Sequence, residues 1–209
     1  INAVTVVNNN ASGNQSKRGF DRAYGGQQTE QARELWTFNR VNFARIAEEM
    51  SRPETCTLGW NSLRFDDEFV RHGLFRNFHD PYEREWRGGN SRWDLLDVMR
   101  LTHALRPEGI IWPKREDGAT SFKLEHLALA NGVREGDAHE ALSDVYATLG
   151  MARKFRDAQP RLWDYALKLR DKKFAASLLD TVAMTPALHI SQRYPASRLC
   201  AAPVLPLTR

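Results

Sequence analysis

The spacing of apolar residues divides the chain into strand-like and helix-like stretches separated by polar turns. Phe43, Ile46, Ala47 and Met50 recur at helical spacing and predict an amphipathic helix over 41–50, stopped by Arg52-Pro53. Thr55-Cys56-Thr57-Leu58-Gly59-Trp60-Asn61 then reads as a buried strand. Phe69, Val70, Gly73, Leu74 and Phe78 put one apolar stripe on a following helix. Residues 93–99 supply another apolar element. Leu124, Leu127 and Leu129 predict a short helix with Asn131-Gly132 as its stop. Asp137 and Glu140 form a capping pair opening a helix whose apolar face is Ala141, Leu142, Val145, Tyr146 and Leu149. Past Gln159-Pro160, Leu162, Tyr165, Ala166 and Leu169 mark one more amphipathic helix.

The two ends differ from this middle. Ala3-Val4-Thr5-Val6-Val7 suits a short strand, but residues 8–28 are polar and turn-rich and read as loop or disorder. The tail from Thr185 carries Pro186, Pro195, Pro203 and Pro206 and shows no finished domain. Strands alternating with helices predict a mixed α/β sheet rather than a bundle. The divisions expected are 1–28, a partial catalytic domain over 29–159, and a linker helix with the start of a second domain over 160–209.

Composition narrows the class. Of the 209 residues, 42% are hydrophobic and 27% charged, which is ordinary for a globular protein. No window has the roughly 18 uncharged apolar residues of a membrane span, and no signal peptide is visible. Two cysteines, Cys56 and Cys200, without Cys-x-x-Cys spacing argue against a disulfide framework or zinc knuckle and fit a reducing cytosol. The net charge of +4 alone reads as surface solubility. It points to a polyanion only if cations cluster with aromatics.

Two sites could carry chemistry. In Asn61-Ser62-Leu63-Arg64-Phe65-Asp66-Asp67-Glu68, a strand end runs into a helix start, where unpaired N–H groups favour an anionic Asp66. Taken alone, such an Asp is a plain N-cap. In His139-Glu140-Ala141-Leu142-Ser143-Asp144, the first and last residues lie about 140° apart around a regular helix. They converge only if His139 sits at the frayed first turn. Taken alone, the pair is a first-turn His and a solvated Asp.

Together they match phosphodiester hydrolysis, which wants a metal-activated water, a base and cations on developing charge. His139 is then the base, and Asp66 and Asp144 are ligands for Mg²⁺, with Mn²⁺ as an alternative.

Between the sites, Arg64, Arg71, Arg76, Arg84, Arg87, Arg92, Arg100, Arg106 and Lys123 alternate with Tyr82, Trp86, Trp93, Trp112 and Phe122. Guanidinium groups engage phosphates and aromatic faces stack on unpaired bases, a combination suited to single strands. Arg71, Tyr82, Trp86, Arg100, Arg106, Phe122 and Lys123 are the candidate DNA contacts, although Phe122, like Trp93, also sits in an apolar stretch that suits the core.

The long segments Asn61–Glu68, Asn90–Arg100, Leu105–Ile110, Ser121–Leu127 and Ala138–Thr148 resemble the exonuclease I family of DEDDh nucleases. The resemblance runs from about Thr29 to the C-terminus. It implies a ribonuclease H-like fold and 3′-to-5′ hydrolysis of single-stranded DNA to nucleoside monophosphates, in DNA repair or recombination. Asp66 and Asp144 match the family's metal ligands and His139 its general base. A monomer and a single-strand-binding protein partner are also implied.

From about Pro160 the chain resembles the opening of the family's SH3-like domain, which stops unfinished at Arg209, with the later helical domain absent. The family's Asp-x-Glu pair on its first strand has no counterpart here, since residues 3–7 contain no carboxylate. The sheet is therefore expected to be incomplete at its N-terminus, with apolar strand edges exposed. Weak or absent activity is the corollary. The alternatives are a non-catalytic module that binds single strands and a DEDDh ribonuclease that trims short RNA.

Overall fold

A computed structural model describes residues 3–6, 30–133 and 141–208, with side chains over 40–133 and 142–208. The main sheet has three parallel strands in the order β1 (Ala3–Val6), β2 (Thr55–Gly59) and β3 (Ser91–Asp94). Every residue of β2 is buried, as expected of a central parallel strand covered on both faces. One edge of β2 pairs with β3, in a register that sets Gly59 beside Asp94.

The other edge corrects an expectation. It is not left open, because Ala3–Val6 pairs along it from Ala3↔Thr55 to Val6↔Leu58. A β-branched, uncharged segment satisfies the backbone groups of β2 without supplying a carboxylate. Residues 8–28, expected to be loop, lie outside the described residues. The described three-stranded sheet is also wholly parallel rather than mixed, and antiparallel pairing is found only in the tail hairpin and an isolated Lys114–Thr120 bridge.

The helices are α1 (Glu30–Met50), α2 (Asp66–Arg76), α3 (Leu95–Leu105), α4 (Leu124–Ala130), α5 (Ala141–Ala158), α6 (Pro160–Lys168) and α7 (Lys172–Ser177). The first is twice as long as its apolar spacing predicts. Its N-terminal half is rich in Glu, Gln and Arg, good helix formers that leave no periodic signal. α1 and α2 meet at Gly73, where a Cβ would stand 2.0 Å from the Phe43 ring. Only a glycine permits so close an approach.

The main core gathers Leu95, Met99, Leu127, Ala147, Met151 and Phe155, each fully buried, around β2 and β3. Burying one such large side chain stabilises the fold by roughly 1.5–3 kcal/mol. α5 buries a different face from the one its apolar spacing suggests. Leu142 and Tyr146 are exposed, whereas Ser143, Asp144, Ala147, Thr148 and Met151 face inward. That rotation carries Asp144 into the interior.

Phe69 and Phe78 likewise face solvent, and Val70 and Leu74 alone carry the buried stripe of α2. The tail forms an antiparallel hairpin of β4 (Ala187–Ile190) and β5 (Ala201–Val204). No described helix is long and apolar enough to cross a membrane.

Candidate active site and nucleic-acid interface

The turn between β2 and α2 presents Asp66. Asn61 adopts a left-handed conformation (φ 59°), which reverses the chain as it leaves the sheet. Asp94, at the end of β3, fixes that turn. Its carboxylate accepts hydrogen bonds from the Asn61 N–H at 2.9 Å and the Leu63 N–H at 3.3 Å. It also caps α3 by accepting from the Leu96 N–H at 3.0 Å. Burial, and next the negative charge of Asp97, push the Asp94 carboxyl up to about 6 despite these three donors. Arg64 bridges the two acids, 2.9 Å from Asp97 and 3.9 Å from Asp94.

Asp66 opens α2 and is 3% exposed, in a recess also lined by Thr57, Leu58, Ser62, Asp67 and Val70. Asp144 stands in the first turn of α5 and is 6% exposed, with its carbonyl accepting from Thr148 Oγ1 at 2.8 Å. Both carboxylates are therefore interior groups at helix starts. A solvated Asp144 does not describe this chain. His139 lies outside the described residues, as do Asp137 and Glu140.

Asp67 has a different role. It anchors a buried ionic network that sequence reading missed. Arg84, 2% exposed, donates to Asp67 at 2.8 Å, and Arg92 donates to its other oxygen at 2.9 Å. Glu85 binds Arg92 at 3.0 Å and accepts from Arg71 through both oxygens, at 2.7 and 2.9 Å. Arg71 also contacts Glu68, and Glu85 holds its guanidinium well above the usual range.

The cationic strip between the two sites is thus largely neutralised from within. Residues 61–100 hold seven arginines against eight carboxylates. Arg71 is spanned by Glu85 and packs over the Tyr82 ring at 5.2 Å. Arg100 is buried and donates to Asp97 at 2.6 Å. Phe122 is half-buried, edge-on to His103 and Trp112 in the core margin. Tyr82, Trp86, Arg106 and Lys123 remain exposed.

The donor set can be weighed against a divalent site. Among the described residues, no three His, Cys, Asp or Glu side chains group closely enough to hold a metal ion. Asp66 and Asp144 bring two negative charges, against four positive charges on a pair of divalent ions. The described residues do not fit a complete two-ion centre.

Comparison with known proteins places this architecture. Residues 170–209 match the exonuclease I SH3-like domain family. Exodeoxyribonuclease I of Escherichia coli (strain K12) is 51% identical over 155 residues, covering 74% of this chain and 33% of that protein. A zinc-ion-bound form of an E. coli ExoI–ssDNA complex superposes with a TM-score of 0.77 at 47% identity, over 81% of this chain and 36% of that one. An ExoI/SSB-Ct complex gives 0.76 at 48% identity, with the same coverage. The chain spans about a third of the length of these relatives. Its α/β fold is that of the exonuclease I nucleases, and over most of its length the chain is a relative of exodeoxyribonuclease I.

Proposed function

We propose that this chain is the single-strand-handling part of a 3′-to-5′ exodeoxyribonuclease, and that alone it binds single-stranded DNA but cleaves it weakly or not at all. The observation that carries this is the pair of interior carboxylates, Asp66 and Asp144, each at a helix start on the exonuclease I scaffold. In the complete activity, release of nucleoside 5′-monophosphates needs a divalent ion, Mg²⁺ or Mn²⁺, with His139 as general base. β1 lacks the acidic pair that would complete the charge balance, and the described residues leave such a centre short. The E. coli ExoI–ssDNA complex supports single-stranded DNA as the ligand, and the ExoI/SSB-Ct complex supports an SSB partner. A role in DNA repair or recombination in the bacterial cytosol follows from the same reading.

The missing pair also favours a second reading, a module that binds single strands without cutting them. A 3′-labelled oligonucleotide incubated with the purified chain and Mg²⁺ or Mn²⁺ tests the proposal. Binding with little or no 3′-end release is expected, and any residual release should disappear in His139→Ala. Processive degradation would overturn it, and preferential trimming of an RNA oligonucleotide would replace it with a ribonuclease.

A further inference from the structure

Among the described residues, none beyond Leu167 joins the main core. Within residues 171–208, Cys200 alone is buried, at 4% exposure. The strands β4 and β5 keep every side chain half-buried or exposed. The loop over 191–200 is folded so as to turn this one side chain inward. The Cys200 N–H donates to the Pro195 carbonyl at 3.2 Å, and the Ser191 N–H donates to the Cys200 carbonyl at 2.8 Å. Leu199 and Cys200 both hold left-handed φ, 59° and 53°. Non-glycine residues keep that conformation only where their surroundings over-determine it.

What surrounds Cys200 is α3, against which β4 lies. The thiol shares a hydrogen bond with the Arg100 side chain, and Asp97 and Arg115 stand close enough to act on it electrostatically. Arg100, itself buried, donates to Asp97 Oδ1 at 2.6 Å. Arg64 reaches the other oxygen, Oδ2, at 2.9 Å. Arg64 belongs to the turn between β2 and α2, where Asp94 holds the N–H groups of Asn61 and Leu63. A continuous series of contacts therefore runs from Cys200 through Arg100, Asp97 and Arg64 to the turn that presents Asp66. Asp97 is its bridge, with one oxygen for each guanidinium. An asparagine there would offer one acceptor oxygen and a donating amide, and could not serve both.

We infer that Arg100 is a positioning residue that, through Asp97, couples the seating of the tail hairpin on α3 to the geometry of the Asp66 turn. Such a coupling is reciprocal. Whatever loosens the turn loosens the hairpin by the same factor, and the reverse. Contiguity is the geometric half of the argument, and reciprocity is the half that can be measured. The inference deepens the proposed function, since its consequence rests on Asp66 serving the site. It gives the tail hairpin a bearing on that site from a distance.

The two cysteines make the test self-controlled. Cys56, 2% exposed in the central strand, reports general loosening, and Cys200 reports release of the hairpin. The full chain, free of metal and DNA, is alkylated with N-ethylmaleimide, and each labelled peptide is quantified by mass spectrometry. Asp97→Asn should speed alkylation of Cys200 by about fivefold or more and leave Cys56 unchanged. Arg64→Met, on the turn side of the bridge, should release Cys200 in the same way. In the other direction, Cys200→Ala should raise hydrogen exchange at the Asn61 and Leu63 amides by about threefold or more. Cys200→Ser, which keeps a partner for Arg100, should restore their protection. Wild-type alkylation of Cys200 in both bridge variants, or unchanged exchange at the turn in Cys200→Ala, would overturn the coupling. An equal rise at Cys56 would overturn it too, since the variants would then only loosen the fold. None of these readouts needs a divalent ion or an oligonucleotide. Failure of the coupling therefore leaves the proposed function standing, and failure of that function leaves the coupling standing.

Discussion

Residues 61–100 and residues 153–173 are both rich in cations, yet the fold uses the two regions in opposite ways. In the first, Arg71, Arg84 and Arg92 are tied to Asp67 and Glu85 in a partly buried network. In the second, Arg161, Lys168, Lys172 and Lys173 face water without ion pairs among the described residues. Spacing along the chain does not tell these cases apart. An arginine beside a carboxylate in the fold is structural, and a lysine with no carboxylate opposite it stays solvated.

The sharpest way to break the contrast is to cut the network. Asp67→Ala removes the carboxylate shared by Arg84 and Arg92 and leaves Arg84, 2% exposed, without its shortest ion pair. Stability measured by urea unfolding should fall by about 3–5 kcal/mol, as expected for an uncompensated buried charge. Adding Arg84→Met should recover part of the loss. A fall below about 1 kcal/mol would mean that the network does not hold this region.

The α1–α2 seam comes next. Gly73→Ala should cost about 1–3 kcal/mol by forcing the Phe43 ring out of place, and Gly73→Ala with Phe43→Leu should cost less than Gly73→Ala alone. Thermal melts of the two variants decide this.

Asp94 gives a pH signature of intermediate size. Its folded carboxyl lies near 6, above the ordinary carboxylate value of 3.8. A group raised in this way contributes stability fully below the unfolded value and loses it as pH rises through the folded one. The wild type should therefore lose stability relative to Asp94→Asn between about pH 4 and pH 6, with a flat difference above pH 7. A difference that does not change with pH would remove the perturbed carboxyl from the account. The smallest effect belongs to Arg87, whose pair with Glu83 is mostly exposed. Arg87→Ala should change stability by under about 1 kcal/mol and leave the salt slope of oligonucleotide binding unchanged.

What the sequence disclosed follows from where its signals are local. β2, the helix starting at Asp66 and the stop at Asn131-Gly132 could all be read from neighbouring residues. Asp94 could not, because the turn it holds lies 33 residues upstream in the chain. Arg84 and Asp67 are 17 apart and meet only after α2 has folded back. The face of α5 was misread because periodicity counts apolar residues. This helix instead turns Ser143, Asp144 and Thr148 inward and leaves Leu142 and Tyr146 in solvent. Polar residues buried for a purpose invert the usual pattern, and Asp144 is the one the candidate site needs. The strand at Ala3–Val6 was legible as a strand, but its pairing along the free edge of β2 was not.

Metal binding by the chain itself tests the central claim most directly. Mn²⁺ titrated into the purified protein and followed by electron paramagnetic resonance should show at most one weakly held ion, lost in both Asp66→Asn and Asp144→Asn. Two tightly bound ions, or one that survives both substitutions, would contradict an incomplete carboxylate centre built on this pair.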